Sequence, residues 1–188
     1  RIALAAADPG GIGAGSTIDN QQVSGLVARL LVTTGLRIGE VTRVRLCDVS
    51  SGGTSIRVRG KGDRERSVYV ANKHLLEDLD SYIKAHRANA EPHDYVFLNT
   101  RGTRLTEAAF RKRLRGMSAE LRIAPHLTPH RFRHSAATLL IEEGVDIRLV
   151  QRLLGHASIA TTEIYTKVSD TSLISAIQSA DTLAKVDS

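Results

Sequence analysis

The sequence predicts an α+β domain, mostly helical, with a small antiparallel β-sheet. Three observations carry that expectation. Apolar residues recur at helical spacing in several segments that open on capping side chains and close on glycine. One stretch alternates with period two on both sides of a glycine-rich turn. No internal repeat is visible, and 188 residues suffice to bury one sizeable core.

Residues 2–7 read as a short helix ended by Asp8-Pro9-Gly10-Gly11, with a flexible loop to Gly15. Gly11-Ile12-Gly13 resembles part of a dinucleotide fingerprint, but no strand precedes it, so that reading is set aside. Asn20 is placed to cap a helix running to about Thr34, with Val23, Leu26, Val27, Leu30 and Leu31 on one face. Gly35 ends it, and a short helix around Gly39 to Val44 follows. Ser55-Ile56-Arg57-Val58-Arg59 alternates, Gly60-Lys61-Gly62-Asp63 turns, and Ser67-Val68-Tyr69-Val70 completes a hairpin or meander. Asn72 or Lys73 opens a helix to about Ala88, burying Leu75, Leu76, Leu79, Tyr82 and Ile83. Tyr95-Val96-Phe97-Leu98 reads as a short strand, and Thr106 caps an arginine-rich helix to about Leu121. Thr128-Pro129 is a cap followed by a first-turn proline, opening a helix to about Glu143 that stops at Gly144. Asp146 caps residues 147–154, closed by Gly155. Two further helices are expected around 161–166 and 171–183.

Hydrophobic content of 41% and a mean hydropathy of -0.14 fit an ordinary soluble domain. The most apolar helical stretch, Leu26 to Val41, is interrupted by Arg29, Arg37 and Glu40, so no membrane span is expected. The N-terminus lacks the charged, apolar, small-residue order of a signal peptide. The single cysteine, Cys47, cannot form an intramolecular disulfide; a small, partly buried thiol in a reducing, cytoplasmic setting is expected. The chain does not begin with Met, which suggests a fragment. A net charge of +6 favours an anionic partner. Its distribution adds to this: residues 101–133 hold Arg101, Arg104, Arg111, Lys112, Arg113, Arg115, Arg122, Arg131 and Arg133 against Glu107 and Glu120. The competing reading of such a run is a solvated helix face.

Metal-free phosphodiester cleavage needs fixed cations around the phosphate, an activated nucleophile and a proton for the leaving oxygen. Candidates for each role occur, though each has an ordinary explanation when taken singly. Arg37 follows the helix-ending Gly35 and starts the next helix, a good anion position or simply a surface arginine. Lys61, between two glycines, can reach toward a ligand or merely solubilise a turn. His130 and Arg133 lie three apart on one helix and share a face. His130 and His134 have the spacing of a zinc pair, but the glutamate of a metalloprotease is missing, so no metal site is expected. His156 sits just past a helix end, a position the helix dipole alone favours. Tyr165 by default is a core or rim aromatic, and its phenol needs cations and a base to attack.

Together, Thr34-Gly35-Leu36-Arg37-x-x-Glu40, Gly60-Lys61-Gly62, His130-x-x-Arg133, Leu154-Gly155-His156 and Tyr165 resemble the motif set of tyrosine recombinases of the lambda-integrase and Xer type. Residues 129–138 and 153–166 look very close to Xer-type proteins, and the resemblance runs from about Val23 to the C-terminus. It implies the catalytic domain of a site-specific recombinase working on double-stranded DNA without a cofactor. Tyr165 is then the nucleophile forming a 3'-phosphotyrosyl link. Arg37 and Arg133 grip the non-bridging oxygens, Lys61 is the general acid, and His130 accepts the proton of Tyr165 or orients it. His156 donates to a phosphate oxygen, and Glu40 orients the basic groups from behind. Phosphate contacts from Arg59, Arg111 and Arg131 are expected from position and charge. The resemblance also implies a separate N-terminal DNA-binding domain, absent here, and tetramers on DNA. Within these the C-terminal segment, residues 169–188, is exchanged between protomers, or else packs on its own domain. Type IB topoisomerase-like relaxation, a non-catalytic DNA-binding module and a metal-dependent nuclease are the alternatives.

Overall fold

The computed structural model describes residues 18–60, 65–155, 175 and 177–180. Helix α1 (Asn20–Thr34) is the axis of the fold. Its cap is Asp19 rather than Asn20: the Asp19 carboxylate accepts from Gln21 N–H at 3.0 Å. Gly35 closes it in the left-handed region at φ 64°, donating to the Leu31 carbonyl. The expected apolar face is buried, but so are Ser24, Ala28, Val32, Thr33 and Thr34. The helix is covered on several sides because α3, α4 and α5 all pack on it, α5 most extensively.

A four-residue helix, α2 (Ile38–Val41), follows almost at once. Strands β1 (Ser55–Arg59) and β2 (Glu65–Tyr69) pair antiparallel with Ser55 opposite Tyr69 and Arg59 opposite Glu65. Ile56, Val58 and Val68 point into the core while Arg57 and Arg59 stand outward, as period two requires. The second strand begins two residues earlier than the alternation of apolar residues predicts. The expected strand at 95–98 is not a ladder: Tyr95 and Leu98 make isolated bridges to Arg45 and Arg104, between buried Val96 and Phe97.

Helix α3 (Lys73–Arg87) is capped by Asn72, and its buried Tyr82 hydroxyl accepts from Leu98 N–H at 3.0 Å. Helix α4 (Glu107–Glu120) is capped by Thr106 and buries Phe110, Leu114 and Ser118. Ser118 Oγ donates to the Leu114 carbonyl and accepts from Leu127 N–H at 2.8 Å, fixing the approach to α5 (Pro129–Glu142). Thr128 caps α5 and Asp146 caps α6 (Ile147–Leu154), with Gly155 left-handed at the end, each as the sequence predicts.

The main core gathers α1, the sheet, α3, α4 and the start of α5. A second cluster joins Leu140, Val150, Leu153 and Leu154 to Ile177 and Ala180 of a helical C-terminal stretch, so part of the C-terminal segment packs on its own chain. Cys47 is exposed, contrary to expectation, because its segment runs along the surface as a short 3-10 turn, with Sγ 3.6 Å from His93 Nδ1. No helix among the described residues is long and apolar enough to cross a membrane. The expected helices at 2–7 and 161–166 lie outside the described residues.

Candidate active site

Arg37 occupies the N-cap of α2, where its extended backbone turns the chain so that Glu40 reaches back to it. Glu40 Oε2 accepts Arg37 N–H at 2.7 Å, and Oε1 lies 3.3 Å from Arg37 Nη1. A buried carboxylate needs charged partners. Glu40, 7% exposed, has a second one in Arg66 of β2, whose Nη1 and Nη2 donate to its two oxygens at 2.7 and 3.1 Å. Burial pushes the Glu40 carboxyl up, but the Arg66 and Arg37 bonds outweigh it and hold the group below its ordinary value. It stays ionised at neutral pH.

Arg133 projects from α5 into the place where two helices end. Its Nη1 donates to the Gly35 carbonyl after α1 and its Nη2 to the Leu154 carbonyl at the end of α6. Both acceptors sit at the negative ends of helices, where unpaired carbonyls attract a cation. They are neutral acceptors, so the charge of Arg133 is held in place without being cancelled. Burial, then repulsion from Arg37 and Arg66, pulls its guanidinium down to about 10, which still leaves it fully charged at neutral pH. Arg66 Nε also lies 3.4 Å from the Leu153 carbonyl, so two arginines hold the end of α6.

Of these groups, Arg37, Glu40 and Arg133 face a cleft of about 910 Å³. Arg37, His130 and Arg133 line it together with Glu40, Arg59 and Arg111, so the structure brings six of the sequence-predicted site residues to one place. His130 and Arg133 open onto it from the same face of α5. Arg59 is exposed and paired with its cross-strand neighbour Glu65 at 2.8 Å; Arg111 pairs with Glu107 at 2.9 Å. Arg131 does not line this cleft. Its Nη1 donates to the carbonyls of Pro125 and His126, where it ties down the loop before α5. Lys61, His156 and Tyr165 lie outside the described residues. Lys61 directly follows the cleft-lining Gly60, and His156 directly follows the Gly155 cap.

Sequence reasoning missed Arg66, Arg43 and Arg115 as site residues, and the position of Glu107. Glu107 is packed so closely that a Cβ on Gly39 would meet its carboxylate oxygen at 2.7 Å. The spacing Gly39 to Glu107 carries no signal, whereas Arg66 alternates with inward Val68 and was open to that reading. A second hollow of about 600 Å³ shares Glu40, Arg43, Arg59 and Gly60 with the cleft. In it the Tyr95 ring lies between Arg45 and Arg104, whose Cζ atoms are 5.7 and 4.8 Å from its centroid. The bond from Arg104 to its hydroxyl lowers the Tyr95 phenol below its ordinary value.

With Glu40 counted against Arg37, Arg66 and Arg133, the inner cleft keeps a surplus of positive charge among the described residues. That arrangement can hold an anion of phosphate type. Residues 17–172 match the phage integrase family. The chain is 37% identical over 170 residues to the tyrosine recombinase XerC of Corynebacterium efficiens, covering 90% of this chain and 54% of that protein. It is 41% identical over 157 residues to the tyrosine recombinase XerD of Oceanobacillus iheyensis, covering 80% of this chain and 52% of that one. The crystal structure of XerA recombinase superposes with a TM-score of 0.62 at 30% identity, over 86% of this chain and 63% of that one. XerH bound to its difH substrate in a pre-cleavage complex gives 0.61 at 29% identity, over 73% and 40%. This chain belongs to the phage integrase family of tyrosine recombinases. It spans about half the length of the curated relatives it matches.

Proposed function

We propose that this chain is the catalytic part of a site-specific tyrosine recombinase that cuts and rejoins double-stranded DNA. The observation that carries the reading is the cleft itself. Arg37 at the start of α2 and His130 and Arg133 on one face of α5 converge there, and the family motif reserves those positions for phosphate chemistry. Tyr165 Oη attacks a DNA phosphorus, forming a 3'-phosphotyrosyl bond while the bond from phosphorus to the 5'-oxygen breaks. The phenol proton passes to His130. Lys61 gives a proton to the departing 5'-oxygen, so the products are a covalent 3' adduct and a free 5'-hydroxyl. Arg37, Arg133 and His156 donate to the non-bridging oxygens as negative charge builds on them. Glu40 holds Arg37 from behind. Each well-placed donor of this kind is worth roughly 3–4 kcal/mol in the transition state. The adduct conserves the ester bond energy, so attack by a 5'-hydroxyl from another duplex completes exchange without ATP.

Also lining the cleft, Arg59 and Arg111 extend its cationic surface toward flanking phosphates, and their paired carboxylates are exchangeable for DNA. Assembly as a tetramer on two duplexes belongs to the same reading; Ile177 and Ala180 pack on α5 and α6 of their own chain, so passing residues 169–188 to a neighbour requires that packing to open. XerH is seen on DNA, in a complex preceding cleavage. The test is a nicked duplex of the native recombination site, incubated with the protein and EDTA and run on a denaturing gel. A 3'-linked adduct that disappears in Tyr165→Phe while binding persists is the expected result. Binding without an adduct would reduce the chain to a DNA-binding module, and cleavage that EDTA abolishes would replace the mechanism with a metal-dependent one.

A further inference from the structure

We infer that Arg66 is a positioning residue: it takes up the charge of Glu40 and so leaves Arg37 available to the anion in the cleft. The inference rests on the reading of the cleft given above.

Arg66 stands at an inward position of β2, two residues before Val68, where a charged side chain must find partners inside the protein. All three of its nitrogens do so. Two form a fork on Glu40 at 2.7 and 3.1 Å, and Nε faces the Leu153 carbonyl at 3.4 Å. A guanidinium so occupied has little left for a ligand. Arg37 is the opposite case. Its guanidinium makes one long contact to Glu40, at 3.3 Å, and its side chain is 46% exposed on the cleft side. The short bonds of Glu40 therefore go to Arg66 and to the Arg37 backbone, and the Arg37 head is held loosely at the edge.

A seat has been built around Arg66. Gly155 packs so closely on it that a Cβ there would lie 2.8 Å from the guanidinium carbon. Removing Arg66 leaves Glu40 buried with Arg37 as its remaining ion-pair partner among the described residues, since Arg133 is tied to the Gly35 and Leu154 carbonyls. A carboxylate so placed draws the nearest mobile cation into a short, charge-assisted pair. Arg37 would then swing inward and be lost to the phosphate. In the same step the end of α6, which runs directly into His156, would lose one of its two arginine anchors.

The mechanism makes a distinctive demand: the defect caused by losing Arg66 must be relieved by discharging Glu40. The experiment compares adduct formation on the nicked native site by the wild type, Arg66→Met, Arg66→Lys, Glu40→Gln and the Arg66→Met/Glu40→Gln double variant. Duplex binding is measured alongside by gel shift. Arg66→Met is expected to slow adduct formation by about 10²-fold, the cost of one misplaced oxyanion donor, while binding is largely kept. Arg66→Lys should lose less. The double variant should recover most of what Arg66→Met alone loses, because a neutral amide does not capture Arg37. Additive losses in the double variant, or unchanged cleavage by Arg66→Met, would overturn the inference and leave the reading of the cleft standing. If Arg66→Met does not fold, the double variant decides: folded and cleaving supports the inference, folded and inactive refutes it. A wild type that binds its site without forming an adduct would overturn the cleft reading and this inference with it.

Discussion

Replacing Arg133 by methionine keeps most of the side-chain volume and removes the guanidinium from between two helix ends. The charged bonds to the Gly35 and Leu154 carbonyls each contribute roughly 1.5–3 kcal/mol, so about 3–6 kcal/mol is lost with the pair. Against this stands the cost of burying the charge. The fall of the guanidinium from its ordinary value to about 10 corresponds to roughly 3 kcal/mol working against the folded state. The sign holds at neutral pH because the group is protonated both folded and unfolded. The two contributions nearly offset, leaving a destabilisation on the order of 0–3 kcal/mol by the same estimates. Function has no such offset, since removing one phosphate donor is expected to slow covalent adduct formation by about 10²–10³-fold. Urea unfolding gives the first quantity and a nicked native-site duplex gives the second. Arg133→Met that still forms adduct within about tenfold of the wild type, well short of the loss of one donor, would refute the role argued for Arg133. A variant too unstable to fold would show that the two helix-end bonds, not the phosphate, are the reason for the residue.

Three further outcomes are expected. Glu40 has a depressed folded pKa, so its contribution to stability is present above the unfolded value of 4.5 and is lost as pH falls through the lower folded value; urea midpoints should drop across that window, and less so in Glu40→Gln. Ser118→Ala strands the buried Leu127 N–H and should lower the urea midpoint by an amount equivalent to about 1–3 kcal/mol, with the slope m unchanged. Gly155→Ala must hold φ at 61° and displaces the Arg66 head, so it should cost at least ~1–2 kcal/mol in thermal or urea unfolding, and a neutral result would mean the α6 end relaxes freely.

The helices were legible because their signals are local. Asn72, Thr106, Thr128 and Asp146 each bond to a nearby backbone N–H, and Gly35 and Gly155 adopt the left-handed caps that glycine favours. His130 and Arg133 were legible for the same reason, since three-residue spacing on one helix fixes a common face. Where neighbours from distant sequence decide, the reading failed. Burial around most of α1 depends on α3, α4 and α5 packing on it, which no pattern within residues 20–34 reports. The apolar run at 95–98 looked like a strand, but the backbones beside it offer bridges rather than a partner strand. Cys47 looked partly buried and is exposed, because its turn lies on the surface. Arg131 sits in the same basic run as Arg111, and only the loop before α5 reveals that its Nη1 donates to the Pro125 and His126 carbonyls.

Arg66 is the instructive omission. It lies in Asp63-Arg64-Glu65-Arg66, a charged run beside a turn, and the apolar alternation that marks the strand begins only at Ser67. Extending the period-two register back from Val68 puts Arg66 on the buried face, where a lone cation demands an acid, and Glu40 is a carboxylate already singled out near the proposed phosphate. The structure closes that pair and adds what spacing cannot convey. The C-terminal ends of α1 and α6 meet at Arg133, and the carbonyls they leave unpaired are its acceptors. Because those acceptors are neutral while Glu40 is matched mainly by Arg66, a surplus of positive charge falls on Arg37 and Arg133, both of which line the cleft.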